Sequence, residues 1–157
     1  MRSTESLPLA LQHFADLSVQ VAAPVEVGAT PAGRRRMISI TGGDARGHGW
    51  TARVLPGGAD YQLIVSDTRA ELEAHYLLET DAGDRIYVRN HAIRVASAQV
   101  TAAIARGEAV DPAQVYFRCA PALQTASPAL QWINDRLFAG AGQRLPDRVV
   151  MSFYALA

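Results

Sequence analysis

Lysine is absent from this 157-residue chain: its fifteen basic residues are all arginine, and fifteen acids balance them. Without lysine there is no Schiff-base catalysis and no pyridoxal phosphate anchor. The Gly-Lys-Ser/Thr of a phosphate-binding loop is missing too. The even charge balance removes the basic excess that marks nucleic-acid binding. A single cysteine, Cys119, excludes an intrachain disulfide and fits a reducing cytoplasm. No apolar run approaches the roughly 20 residues of a membrane helix. Met1-Arg2-Ser3-Thr4-Glu5 carries an acid and no long apolar run follows, so no secretory signal is expected. His13, His48, His75 and His91 lack the His-x-x-x-His or His-x-His spacing of a metal site, and no serine sits in a Gly-x-Ser-x-Gly elbow. The expectation is a cytoplasmic protein with no metal, no cofactor, no nucleic acid and no membrane partner.

What the chain does have is alternation. Nearly half its residues, 49%, are hydrophobic, enough for one domain over 1–157 with its own core. Apolar residues recur at every second position in His13–Val21, Arg34–Ile40, Trp50–Leu55, Tyr61–Ser66, Leu72–Glu79, Arg85–Val95, Val115–Cys119 and Arg148–Leu156. These predict about eight strands, joined mostly by hairpins. Val25–Pro31 reads as loop or edge. Thr41–Gly49 reads as a glycine-rich loop. It is no phosphate cradle, because a strand rather than a helix follows it. A short helix is predicted over Gln99–Arg106, ended by Gly107, and another from Ser127-Pro128 to about Phe138, ended by Ala139-Gly140-Ala141-Gly142. Pro121 is expected to stop the strand before it. Many short strands with turn signals point to a sandwich or a closed barrel, and a barrel of about eight strands can enclose one small ligand. Apolar residues on both faces of the Val54 and Val149 strands make a homo-oligomer plausible.

At the centre lies Arg53-Val54-Leu55-Pro56-Gly57-Gly58-Ala59-Asp60-Tyr61-Gln62. The Pro-Gly-Gly turn places an acid, a phenol and an amide at the mouth of a strand. With this stretch, the pieces Gly42-Gly43, Ala74 and Tyr76, Asn90 with Arg94, Val110-Asp111-Pro112, Tyr116-Phe117-Arg118, Pro121 with Thr125, and Trp132-Ile133-Asn134 before Gly140 and Gly142 run in order along the chain. Together they resemble the bacterial and fungal proteins grouped as domain of unknown function 3237, also called UPF0311. The resemblance implies a mainly-β fold, a single antiparallel barrel similar to allene oxide cyclase and dirigent proteins, with one or two short helices. Such barrels hold apolar or aromatic molecules and steer cyclisation or coupling without a metal. Some members are associated with cofactor-free lyase chemistry on aromatic acids. The chain departs from the family pattern at Gln124, where a glutamate is expected, at Ala92 for a glycine, and at His48 for a proline.

The candidate site follows from residue chemistry. Asp60 and Gln62 share a strand face. Asp60 is either a general base in a dry cavity or a carboxylate capping the turn. Arg94 and Arg118 either bind a substrate anion bidentately or pair with an internal acid. Tyr76 and Tyr116 either donate a proton or serve as core residues with a satisfied hydroxyl. His13, opening an alternating strand, is the candidate proton shuttle. Gln62 and Trp132 join the two arginines as substrate-binding candidates. The expected function is a cofactor-independent lyase or isomerase for a small aromatic or carboxylated molecule, or a non-catalytic carrier of one.

Overall fold

The computed structural model describes residues 5–157. Its ten strands are β1 (Leu11–Val21), β2 (Val25–Thr30), β3 (Gly33–Gly47), β4 (Thr51–Val54), β5 (Ala59–Ile64), β6 (Arg69–Thr80), β7 (Arg85–Val95), β8 (Tyr116–Thr125), β9 (Phe138–Arg144) and β10 (Arg148–Leu156). β1 and β2 lie end to end along one side of β3, and β4 and β5 lie end to end between β3 and β6. The ten strands therefore act as eight staves, each beside its neighbour in sequence, and β10 pairs back onto β1 to close an antiparallel barrel. Closure leaves inside and outside as the only two destinations for alternating side chains. In β7 the inward set is Ile86, Val88, Asn90, Ala92 and Arg94, all buried.

The Pro-Gly-Gly segment is an interruption within one stave, not a hairpin. Across it the chain stays tied to β3, with the Ile40 amide donating to the Gly58 carbonyl at 2.9 Å. A Cβ on Gly58 would sit 2.6 Å from Tyr76 Cβ, so only glycine lets the stave pass that close to β6.

Val25–Thr30, read as loop or edge, is the strand β2, paired with β3 alone. Three local expectations are overturned. The glycine-rich Thr41–Gly49 stretch is largely strand, as β3 continues to Gly47 through a register shift opposite Gln20 and Val21. The expected helix stop at 139–142 is β9, with Gly140 and Gly142 facing inward. A Cβ there would lie 2.7 Å from Cys119 Sγ and 2.9 Å from the Phe117 ring respectively, so tertiary packing demands glycine where local propensity argues against a strand. Pro121 does not end β8. The β8–β9 ladder reaches only Arg118 and Cys119, and beyond it a residue without an N–H costs no ladder bond.

The two ends of the barrel differ. At one end, the 3₁₀ segment Pro128–Asp135 plugs the bore with Leu130 and the fully buried Ile133. The Asn134 side chain holds it to β8, accepting from the Thr125 amide at 2.8 Å and donating to the Thr125 carbonyl at 2.9 Å. This replaces the helix expected up to Phe138: a kink at Leu130 and these ties bring the chain back in time to form β9. Phe14 packs against Trp50, Trp132 and Phe138, with centroids 5.4, 5.5 and 5.2 Å away. At the other end the bore stays open beneath α1 (Ala98–Ala105), which Ser97 caps by accepting from the Val100 amide. No helix among the described residues is long and apolar enough to cross a membrane.

Gly58→Ala forces the stave away from Tyr76. It is expected to cost about 1–3 kcal/mol, the usual range for overpacking, in a urea unfolding titration. A neutral result would show that the strands separate there without strain.

Candidate functional site

Register stacks the inward side chains into levels. Asp60, Ala74, Asn90 and Pro121 share one, opposite Ile38 of β3. One level outward lie Arg36, Gln62, Leu72 and Ala92, and beyond them Ala70 and Arg94. Alanines at 70, 74 and 92 take little of the bore and leave space for longer polar groups. Two connected regions result. A cavity of about 530 Å³ opens under α1, lined among others by Arg36, Gln62, Ile64, Arg94, Ile104 and Arg144. Deeper in the bore is a chamber of about 40 Å³ bounded by Asp60, Tyr76, Asn90 and apolar walls that include Leu72, Phe117 and Met151.

A relay links the two. Arg36 Nε donates to Gln62 Oε1 at 2.7 Å, and Gln62 Nε2 donates to Asp60 Oδ2 at 2.8 Å. The other Asp60 oxygen, Oδ1, has no partner, nor do the Tyr76 hydroxyl and Asn90 Oδ1, although all three atoms are buried. Buried polar atoms are seldom left so. Three of them around one small chamber offer polar partners to whatever small molecule, water included, fills it. Asn90 Nδ2 makes only a weak contact, 3.4 Å to Met151 Sδ.

The electrostatics follow from burial. Desolvation raises the Asp60 pKa above the ordinary carboxylate range, against the opposing pull of the Gln62 hydrogen bond and the Arg94 charge. Burial also raises Tyr76, which stays a neutral phenol at physiological pH. Arg94 is pushed down to about 10 by desolvation and by repulsion from Arg36 and Arg144, so it remains a cation at neutral pH. Arg36 and Arg144 are lowered for the same first reason. Among the described residues none of these three guanidiniums enters an ion pair.

Of the residues singled out in the sequence, Asp60, Gln62, Tyr76 and Arg94 converge on this bore. The others lie elsewhere. Tyr116 and Arg118 occupy the outward positions of β8, because Phe117 and Cys119 take the inward ones. Tyr116 is 56% exposed, and Arg118 folds back over it, donating to the Phe117 carbonyl at 3.0 Å. Trp132 packs at the plugged end. His13 sits there too, on the surface, 2.9 Å from His48 and 2.9 Å from Asp16. The hydrogen bonds from Ser152 and His13 hold the Asp16 carboxyl below its usual range. Gln124 is exposed on the outer face of β8, so the departure there does not touch the cavity. Neither Arg94 nor Arg118 forms an ion pair with an acid among the described residues, and the arginine joined to Asp60 is Arg36, through Gln62. Of the Arg34-Arg35-Arg36 run, which the sequence leaves open as an anion site or, more often, a solvated edge, Arg36 lines the cavity, and sequence reasoning missed Arg144 and Asn90 as site residues. Alternation with Ile38 and Ile40 signalled Arg36, and alternation with Val88 and Ala92 signalled Asn90. Nothing signalled Arg144, whose strand went unrecognised.

Comparison with known proteins agrees with this frame. A family profile described as a protein of unknown function, DUF3237, matches residues 9–156. The chain belongs to this family. A UPF0311 protein of Rhodopseudomonas palustris is 38% identical over 146 residues, covering 93% of this chain and 95% of the relative. One of Clostridium acetobutylicum is 35% identical over 142 residues, 90% of each chain. The solved R. palustris structure superposes with a TM-score of 0.93 at 36% identity, covering 97% of this chain and 100% of that one. A β-barrel-like protein of Acinetobacter baumannii gives 0.85 at 36% identity, covering 99% and 100%. A Penicillium herquei protein described as an enzyme gives 0.73 at 17% identity, covering 99% and 100%, a likeness of fold alone.

Two outcomes follow for this DUF3237 barrel. Arg94→Met, which removes a desolvated cation without emptying its volume, is expected to stabilise the ligand-free protein by about 1–4 kcal/mol in denaturant unfolding. A loss of about 3–5 kcal/mol would instead mean that Arg94 has a buried partner. Because the native Asp60 pKa is raised, the folded state holds this proton to higher pH than the unfolded chain does. Its contribution to stability is therefore greatest at acid pH and falls as pH rises from the ordinary Asp value through the raised one. Asp60→Asn should remove that component from a stability-versus-pH profile. An unchanged profile would contradict the assigned shift.

Proposed function

We propose that this protein is a cofactor-independent lyase or isomerase acting on a small carboxylate-bearing molecule held in the open end of the barrel. The observation that carries the reading is the convergence of Asp60 Oδ1, the Tyr76 hydroxyl and Asn90 Oδ1, all buried and unpartnered, beneath a cavity walled by guanidiniums. Arg94, with Arg36 and Arg144, holds the anion, since guanidinium forks match carboxylates. The apolar walls accept the rest of the molecule.

Chemistry takes place at the inner end. Asp60, with its pKa moved toward neutrality, can give or take a proton at carbon. In a decarboxylation the bond to the departing carboxylate breaks, carbon dioxide leaves, and the electron pair passes into an adjacent carbonyl as an enolate. Tyr76, still protonated, donates a hydrogen bond to that oxygen, and protonated Asp60 delivers the proton to carbon. In an isomerisation Asp60 carboxylate removes the proton first and returns it at the neighbouring position. Either way, preorganised donors in a water-poor bore stabilise the developing charge. The P. herquei barrel described as an enzyme supports the idea that this architecture can carry catalysis. A carrier is the second reading, supported by the same guanidiniums, which would hold an anion whether or not Asp60 moves a proton.

The test is a mass-spectrometric screen of aromatic and aliphatic oxo- and hydroxycarboxylates. For a substrate so found, Asp60→Asn should lower kcat by about 10²–10⁴, the usual weight of a general acid–base, with little change in binding. Arg94→Gln should act mainly on KM. If both variants turn the substrate over like wild type, the assignment is wrong. Ligands that bind and are recovered unaltered would favour the carrier.

A further inference from the structure

The cavity wall carries more positive charge than one carboxylate can balance. The rim charges cancel locally. Arg34 pairs with Glu26 at 3.2 Å, Arg69 with Glu71 at 3.2 Å, and Asp147 with Arg148 at 3.5 Å. Inside the rim lie Arg36, Arg94 and Arg144, none in an ion pair among the described residues. From within the bore Asp60 reaches them, joined to Arg36 through Gln62, while Glu26 and Asp147, each already paired on the rim, also act on Arg36 and Arg144. If Asp60 is ionised, two guanidinium charges remain uncompensated. If Asp60 is protonated, three do. A monocarboxylate leaves an excess on either account, beside the buried Arg94 and the half-buried Arg36 and Arg144.

We infer that the ligand is a small dianion carrying two charged oxyanion groups, most simply a dicarboxylate. This rests on the reading of the cavity as an anion site and narrows it. The geometry favours two separated groups over one compact one. Arg36, Arg94 and Arg144 rise from three different staves, β3, β7 and β9, at the same open end. β8 lies between β7 and β9, and its ladder to β9 covers only Arg118 and Cys119, so Arg144 sits on a part of β9 that is not paired to β8. One anionic group can then lie between Arg94 and Arg144, and the second toward Arg36. The relay gives the Arg36 end a special role. Gln62 occupies Arg36 Nε and leaves the two terminal nitrogens to meet the ligand, so anion binding at Arg36 is felt at Asp60 through one side chain.

The test is calorimetric titration of the intact protein at neutral pH and fixed low salt with benzoate, benzene-1,3-dicarboxylate and phenyl phosphate. The dicarboxylate is expected to bind at least about tenfold more tightly than benzoate, as one further charge-assisted contact allows. Arg144→Gln should weaken the dicarboxylate by a larger factor than it weakens benzoate and so remove that advantage, with Arg36→Gln as a second variant should the first fold poorly. Arg118→Gln, on the outer face, should change neither. Phenyl phosphate binding more tightly than the dicarboxylate would uphold the dianion and assign it to a phosphomonoester. Benzoate binding as well as both dianions would overturn the charge count while leaving the anion site standing, as would a dicarboxylate advantage that survives both arginine variants. If none of the three binds, the anion reading of the cavity falls, and this inference with it.

Discussion

The return of β10 onto β1 is the constraint on which the rest of this molecule depends. Leu17 faces Met151 and Val19 faces Val149 across that seam. Closure satisfies the backbone groups along the β1–β10 seam and leaves β2, paired with β3 alone, as an edge. It also turns a two-way choice along each strand into a single inside and a single outside. Once closed, every second residue of eight staves must fill one bore. The space is tight where Phe153, Ile86 and Val88 meet and opens where Ala70, Ala74 and Ala92 replace larger residues. The cavity is thus a consequence of small residues placed at one end of a closed sheet, with the opposite end filled by aromatic packing.

That arrangement puts charge where it is expensive. Arg94 is 8% exposed and Gln62 3% exposed, among apolar neighbours such as Ile38, Ile64 and Ala70. The fold bears the cost because most of its hydrophobic burial lies elsewhere, in the plugged half. What the open half gains is a set of groups already aimed: guanidiniums near the entrance, an amide relay, and an acid and a phenol at depth. Groups fixed in this way need little rearrangement to meet charge on a molecule placed among them.

Much of the barrel could be read from alternation, since period two is a local property of the chain. The segments around Val88, Leu72 and Phe153 all showed it. Asp60 and Gln62 were legible as a pair because two-residue spacing places them on one face. The choice between Tyr116–Arg118 and Phe117–Cys119 was not, because both sets alternate perfectly and only packing decides which one fills the bore. β9 was hidden for a related reason: its glycines look like a stop signal, and their purpose appears only when Cys119 and Phe117 are laid against them.

By itself, the sequence determined most of the strands, the family resemblance, the absence of lysine chemistry and the face shared by Asp60 with Gln62, all of which depend on residue identity and near neighbours. Tertiary structure alone decided that Arg36, Arg94 and Arg144, more than a hundred positions apart at the extremes, line one cavity. It also decided that His13, Tyr116, Arg118 and Trp132 lie outside it. Convergence is set by register around a closed sheet, and register is the sum of every pairing in the barrel. No stretch of chain short enough to be read locally contains it.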